Sequence, residues 1–397
     1  MNSKLLGSIL IIAGSCIGGG MLAMPITSAG VGFWGTTLLL FIIWFAMCYT
    51  ALLMVRIYDY NEPTDGFNTL TKKYTGPFIN KLAGFSLMFL IYGLTAAYMS
   101  GGGTILKTNI DLLLDTNFDT RTAILLFSLL FGGIVIIGTH WVDWLTRGLF
   151  IAKLIFLVLL VALLFPFIQQ ANLLHAPLSV GITVTALPAI FTSFGFHGSI
   201  PSIVNYLGGN KKQLHRAFIW GSLLPLIIYL IWQVVVLGSI DQTRFMQILN
   251  ENSELRGLIL SVREMTHSAH IETLFSLFAA TALGTSFLGV SIGLFDYYKD
   301  VLKPKTKGFV TTSVAGLLTF IPPLLFALFY PEGFILALGY AAIAGVILAL
   351  FIPQYLYLKA MNYHKQRIPI AQIILITLIF ILAAIIIYAQ IKIALQH

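Results

Sequence analysis

From Leu5 to Ile391 the chain repeats one pattern, a stretch of roughly twenty apolar residues followed by a short polar turn. Eleven such stretches fall at roughly 5–29, 33–56, 79–106, 122–139, 147–168, 182–207, 216–239, 272–297, 309–329, 332–357 and 369–391. Each is long enough to cross about 30 Å of hydrocarbon as a helix. The pattern therefore predicts an all-α polytopic membrane protein with one transmembrane domain over residues 1–397. Charged residues make up 10% of the chain, where a soluble domain carries about 25%. The only sizeable polar insert is Asp241–Ile271.

The net charge of +8 is a topology signal and gives no reason to expect nucleic acid as a partner. With the N-terminus inside, seventeen of the 23 Lys and Arg residues fall on the cytoplasmic side. That bias predicts a cytoplasmic N-terminus and, after eleven spans, a periplasmic C-terminus. All fifteen acidic residues sit in loops or at span ends. A carboxylate relay at mid-membrane is thus excluded, and any coupling chemistry must use other groups. Cys16 and Cys48 both lie in apolar stretches and imply no disulfide framework. No phosphate-cradling GxxxxGK[ST] motif is present, no His and Cys residues share a metal-ligand spacing, and no Ser/His/Asp group gathers. These absences predict neither an enzyme nor an ATP-driven pump, with no cofactor and no metal.

Two of the spans are built to break. The first contains "GSCIGGGMLAMP", Gly14 to Pro25, and the sixth contains "FTSFGFHGSIPSIV", Phe191 to Val204. Glycine costs about 1 kcal/mol and proline about 3 kcal/mol relative to alanine inside a helix. Close packing of neighbouring helices through small residues is one reason for glycines in a membrane. Paired interruptions at matching positions of two halves point instead to a transporter's midplane site. A break at Cys16–Gly20 frees backbone N–H groups whose partial positive charge suits a carboxylate, and carbonyls that suit an ammonium. A zwitterionic amino acid offers both. A channel or an intramembrane enzyme fits less well, since two half-helices closing on one small site suit alternating access.

The segments "GSCIGGGMLAMP", "MCYTALL", "LTAAYMSGGG", "FTSFGFHGSIPSIV" and "SFLGVSIGLFDY" resemble the hydroxy and aromatic amino acid permease family of the amino acid–polyamine–organocation superfamily, and within it the tyrosine-specific branch. The resemblance runs from about Leu5 to Ile352 and is looser over the last span. In tryptophan-specific members the sixth-span motif is more like "ASFGYHGN", so Thr192, Phe196 and Ser199 favour tyrosine. Membership implies a leucine-transporter-type (LeuT-type) fold of two inverted five-helix repeats, here 5–168 and 182–357, with spans one and six broken and an extra helix at 369–391. It also implies proton-driven symport of L-tyrosine across a bacterial inner membrane by a monomer, the proton being the only co-transported species. Tryptophan, phenylalanine or a broader aromatic range, and sodium coupling, are the competing expectations.

Gly18, Gly19 and Gly20 are expected to bind the substrate carboxylate through backbone N–H groups. By similarity to the fold, Thr192 and Ser193 present carbonyls or hydroxyls to the ammonium, and Phe191 is the aromatic gate. His197 is polar at the centre of an apolar span, which makes it a functional candidate. It could bond a phenolic hydroxyl, take part in proton movement or satisfy unwound backbone. Thr95 and Tyr98 share a face of the third span with Tyr92, either lining the pocket or making ordinary interhelical bonds. Thr285 and Ser286 match the hydroxyl pair that holds sodium in sodium-coupled members of the fold. Lys153, expected about one and a half turns into span five, either snorkels to the headgroups or places its ammonium at that pair in the cation's stead.

Overall fold

The computed structural model describes residues 3–175, 186–251, 254–302 and 308–395, and every regular element among them is a helix. Residues 182–185 of the expected sixth span and the basic residues Lys303, Lys305 and Lys307 lie outside the described residues. Among the described residues, nine helical runs are long and apolar enough to cross a membrane. They coincide with expected stretches two to five and seven to eleven. The two exceptions are stretches one and six, each split into a pair of short helices: α1 (Ser3–Cys16) with α2 (Gly19–Ser28), and further on α9 (Ala186–Ser193) with α10 (Ile200–Tyr206). Between these pairs lie α3 (Gly32–Ile57), α4 (Phe67–Thr75), α5 (Pro77–Leu114), α6 (Thr120–Ile137), α7 (Thr139–Leu164) and α8 (Gln170–Leu174). After them come α11 (Lys211–Ser239), α12 (Gln242–Asn250), α13 (Glu254–Thr266), α14 (Ala269–Leu302), α15 (Phe309–Phe329), α16 (Phe334–Val346), α17 (Ile352–Tyr363) and α18 (Ile370–Ala394).

Several helices outrun their apolar stretches, for local reasons. The helix α5 continues past residue 106 because the Lys107 ammonium pairs with Asp111 one turn on, at 2.8 Å. The helix α7 begins at Thr139, eight residues before its apolar core. A single residue, Gly138 at φ +145°, turns the chain between α6 and α7, a backbone region that glycine enters freely. Lys153 is thereby the fifteenth of 26 residues in α7, near its middle. Two stripes run along this helix. Ile151, Ile155 and Val158 are exposed and Lys153, Leu157, Leu160 and Leu164 are buried, at the spacing of two helix faces.

Helices distant in sequence pack as partners. The α2–α9 pair brings the two broken spans together; α1 and α3 lie against α11, α5 against α14 and α16, α7 against α14, and α6 against α15. The polar insert folds into α12 and α13, joined by the Arg244–Glu264 ion pair at 3.0 Å. Leu255, Leu258, Ile259 and Val262 of α13 are buried, with α13 resting on α2, α5 and α14. The Glu254 carboxylate accepts the Ile335 N–H at 3.3 Å, in the first turn of α16, where the helix dipole favours negative charge. By the threading of the chain, this hairpin caps one end of the bundle and α4 lies at the other.

Candidate functional site

The first helix stops at Cys16 and α2 starts at Gly19, with Gly18 extended at φ −152° and ψ −152°. The expected break therefore narrows to Ile17–Gly18. The glycines are needed for close approach. A Cβ on Gly19 would sit 2.7 Å from the Tyr98 ring, one on Gly20 would sit 2.6 Å from Ser193 Oγ, and one on Gly18 would overlap Ser286 Oγ. Gly20 is thus where the two broken spans touch. The Gly19 N–H donates to Ser286 Oγ at 3.2 Å. One oxygen acceptor already fits the amide-rich end of α2. Pro25 has no N–H to give Met21, four residues back; the indole N–H of Trp232 serves that carbonyl instead, at 3.0 Å.

In the sixth span α9 ends at Ser193, and the chain resumes as a short 3-10 turn at His197–Ser199 before α10. Pro201 lies in the first turn of α10, where a missing N–H leaves no intrahelical bond unmade. The Thr192 and Ser193 hydroxyls both donate back to their own helix, to the Pro188 and Ala189 carbonyls at 2.8–3.0 Å. What they leave for a ligand is their backbone. Phe191, Thr192 and His197 line a cavity of about 160 Å³ with Met47 of α3, Leu90 of α5 and Leu348. Leu348 belongs to a π-turn, Ile347–Phe351, that interrupts the tenth span, a feature often found at functional sites. Phe67 of α4 also lines it, so the cavity lies toward the α4 end.

The Thr50 hydroxyl lies 2.9 Å from His197 Nε2. The single proton of that hydroxyl also has the Ala46 and Met47 carbonyls within reach, at 3.0 and 3.2 Å. With the proton given to one of those carbonyls, Thr50 accepts from an Nε2–H and Nδ1 is left as a lone-pair acceptor. Nδ1 is buried with no partner among the described residues. Unwound backbone is therefore not what His197 bonds.

Lys153 is 1% exposed and does not snorkel. Its ammonium donates to the Ile17 carbonyl at 2.6 Å and to Thr285 Oγ1 at 3.2 Å, and stands 4.8 Å over the Phe150 ring. The expected hydroxyl pair is divided: Thr285 holds the ammonium while Ser286 turns to Gly19. Three other candidates have partners of their own. Phe196 is fully buried and stacks on Phe218 of α11. The Thr95 hydroxyl is taken up by the Ile91 carbonyl of its own helix at 2.8 Å. Tyr92 bonds the Tyr298 hydroxyl at 2.6 Å and the Leu318 carbonyl at 2.7 Å, bracing α5 to α14 and α15.

Residues 1–391 match the model of the tryptophan/tyrosine permease family. The chain belongs to that family. A tyrosine-specific transport system 1 of Haemophilus influenzae is 43% identical over 364 residues, covering 92% of this chain and 90% of the relative. The tyrosine-specific transport system 2 of the same organism is 42% identical, covering 89% and 87%. Its tryptophan-specific transport protein is 32% identical over the same shares. The chain is thus a multi-pass membrane permease and not an enzyme. In this permease, residues that sequence reasoning passed over also enter the site. Thr50 pairs with His197 Nε2, and Tyr229 and Trp232, three apart on α11, bond carbonyls on either side of the first break. The only signal for the last two was their depth, since Tyr and Trp ordinarily sit at membrane interfaces.

Proposed function

We propose that this permease imports aromatic amino acids, L-tyrosine foremost, across the bacterial inner membrane in symport with protons. The observation that carries the reading is the meeting of two broken helices beside a buried ammonium. Gly18–Gly20 supply amide donors for the carboxylate, with a carboxylate oxygen replacing the Ser286 hydroxyl on Gly19 while Tyr98 stays beside it. The carbonyls at the ends of α1 and α9 receive the substrate ammonium. Phe191 closes over the ring, and Thr192 lines its passage. Identity to tyrosine-specific systems supports the substrate. Lys153 bonded to Ile17 and Thr285 supports a protonated side chain where a sodium ion would otherwise be held.

The packing pairs support two inverted repeats, 5–168 and 182–357, with 369–391 added. Exchange each span with the one five positions away, and the contact of spans five and eight (α7–α14) becomes that of ten and three (α16–α5). Likewise one and seven (α1–α11) becomes six and two (α9–α3). An eleven-span LeuT-type arrangement has this property. With the N-terminus cytoplasmic and the C-terminus periplasmic, the cavity faces the cytoplasm and the α12–α13 hairpin covers the periplasmic end. The functional unit is one chain.

The Nδ1 acceptor of His197 gives selectivity a cause. A phenolic O–H can donate to it and a phenylalanine ring cannot, and a site built around such a bond rejects the analogue that lacks it. An indole N–H can donate as well, so tryptophan is the nearer competitor. Replacing His197 with leucine should weaken tyrosine binding at least about tenfold more than phenylalanine binding, measured by competition in proteoliposomes. Equal losses would leave His197 a structural role only. The whole reading is tested by uptake of labelled tyrosine, tryptophan and phenylalanine under separately imposed proton and sodium gradients; accumulation driven by sodium alone would overturn proton symport.

A further inference from the structure

We propose that Tyr229 is a positioning residue: it ties the two helix breaks together and so builds the pole that receives the substrate ammonium. The inference rests on the transporter reading of those breaks and adds to it a residue from a third element. Tyr229 lies on α11 and is fully buried. Its hydroxyl is 2.6 Å from the Cys16 carbonyl and 2.6 Å from the Ser193 carbonyl. Cys16 is the last residue of α1 and Ser193 the last of α9. The carbonyls of a helix's last turn have no intrahelical partner and carry its partial negative charge. Two such ends held within twice 2.6 Å of each other repel unless a donor stands between them.

A phenol has one proton, and here it serves two acceptors. Each carbonyl therefore keeps a lone pair for a further donor, and an ammonium brings three. The Thr192 and Ser193 hydroxyls cannot compete for it, since both are engaged by their own helix. The Tyr229 ring is itself held by Phe194, edge-on at 5.2 Å between centres. One turn along α11, Trp232 fixes the Met21 carbonyl on the far side of the first break. Together Tyr229 and Trp232 of α11 clamp both flanks of that break without bonding its amides.

The test compares tyrosine with 3-(4-hydroxyphenyl)propanoate, which lacks only the amino group, on the full-length protein in nanodiscs. Tyr229→Phe should weaken tyrosine about tenfold or more and leave the des-amino acid unchanged. Equal weakening of both, or of neither, overturns the proposal. If the parent protein binds the two ligands equally, it is the ammonium pole that fails, whatever the variant does. A second readout needs no purification. In membrane vesicles of a Cys48→Ser background, Tyr229→Phe should speed alkylation of Cys16 several-fold, because the break is no longer tied; an unchanged rate counts against the brace. Should the variant not reach the membrane, 3-fluorotyrosine at position 229 keeps the ring and strengthens the donor. Tyrosine affinity should then shift while that of the des-amino acid does not, and no shift in either overturns the proposal.

Discussion

Gly19→Val is expected to reduce tyrosine binding more than a hundredfold while the protein still inserts and folds. A Cβ at Gly19 would meet the Tyr98 ring at 2.7 Å and Leu283 at 3.0 Å. Valine adds two further carbons to that contact, and both neighbours lie on buried helices that cannot retreat cheaply. The amides of Gly18–Gly20 would be screened or turned away from a carboxylate. Tyramine, which has no carboxylate, should compete poorly against the parent protein for the same reason. Gly148→Ala is the control, since a Cβ there meets nothing within 4 Å; it should bind normally. Strong competition by tyramine, or normal binding by Gly19→Val, would remove the carboxylate assignment.

The second large effect concerns coupling. Lys153→Gln should abolish proton-driven accumulation of tyrosine yet retain exchange of tyrosine across the membrane. The ammonium joins three elements, α7, the Ile17 carbonyl at the first break and Thr285 of α14. A bond from a charged donor contributes about 1.5–3 kcal/mol. Glutamine can still donate to Ile17, so the bundle should hold, but it has no proton to gain and lose. Tyrosine is a neutral zwitterion, so each co-transported proton carries one charge inward. At about 2.3 kcal/mol per 100 mV this supplies roughly fiftyfold accumulation for each 100 mV. The variant should level off at equal concentrations on both sides in a proteoliposome assay. Concentrative uptake at the parent rate would mean that the coupling group lies elsewhere. Sodium should not substitute for protons in the parent, because the ammonium fills the position where Thr285 would hold a cation.

The breaks themselves were legible in the chain. Glycine and proline act through the local backbone, so "SCIGGG" and "FTSFGFHGS" located the interruptions to within a few residues. Lys153 was legible as an anomaly because a charge in an apolar run is costly. Its partner was suggested only by resemblance, and its escape from the headgroups was decided by a helix that starts at Thr139 and not near 147. Of the two roles left open for Tyr92, the structure shows interhelical bonding; periodicity assigns a face to a side chain but not the neighbour it meets.

Sequence alone determined the class of this protein and the two places where helix could not continue. Each of these follows from apolar length or from the backbone chemistry of glycine and proline, which act within one segment. Tertiary structure decided which stripe of each helix turns inward. Lipid is as apolar as the core, so Ile151 and Leu157 look alike in sequence although one is exposed and the other buried. It also decided the polar pairings, His197 with Thr50, Ser286 with Gly19, and Tyr229 with Cys16 and Ser193. Hydrogen bonds between residues 36 to 267 positions apart leave no periodic trace in the chain. They form because an unpaired polar group inside the bundle has no water to turn to.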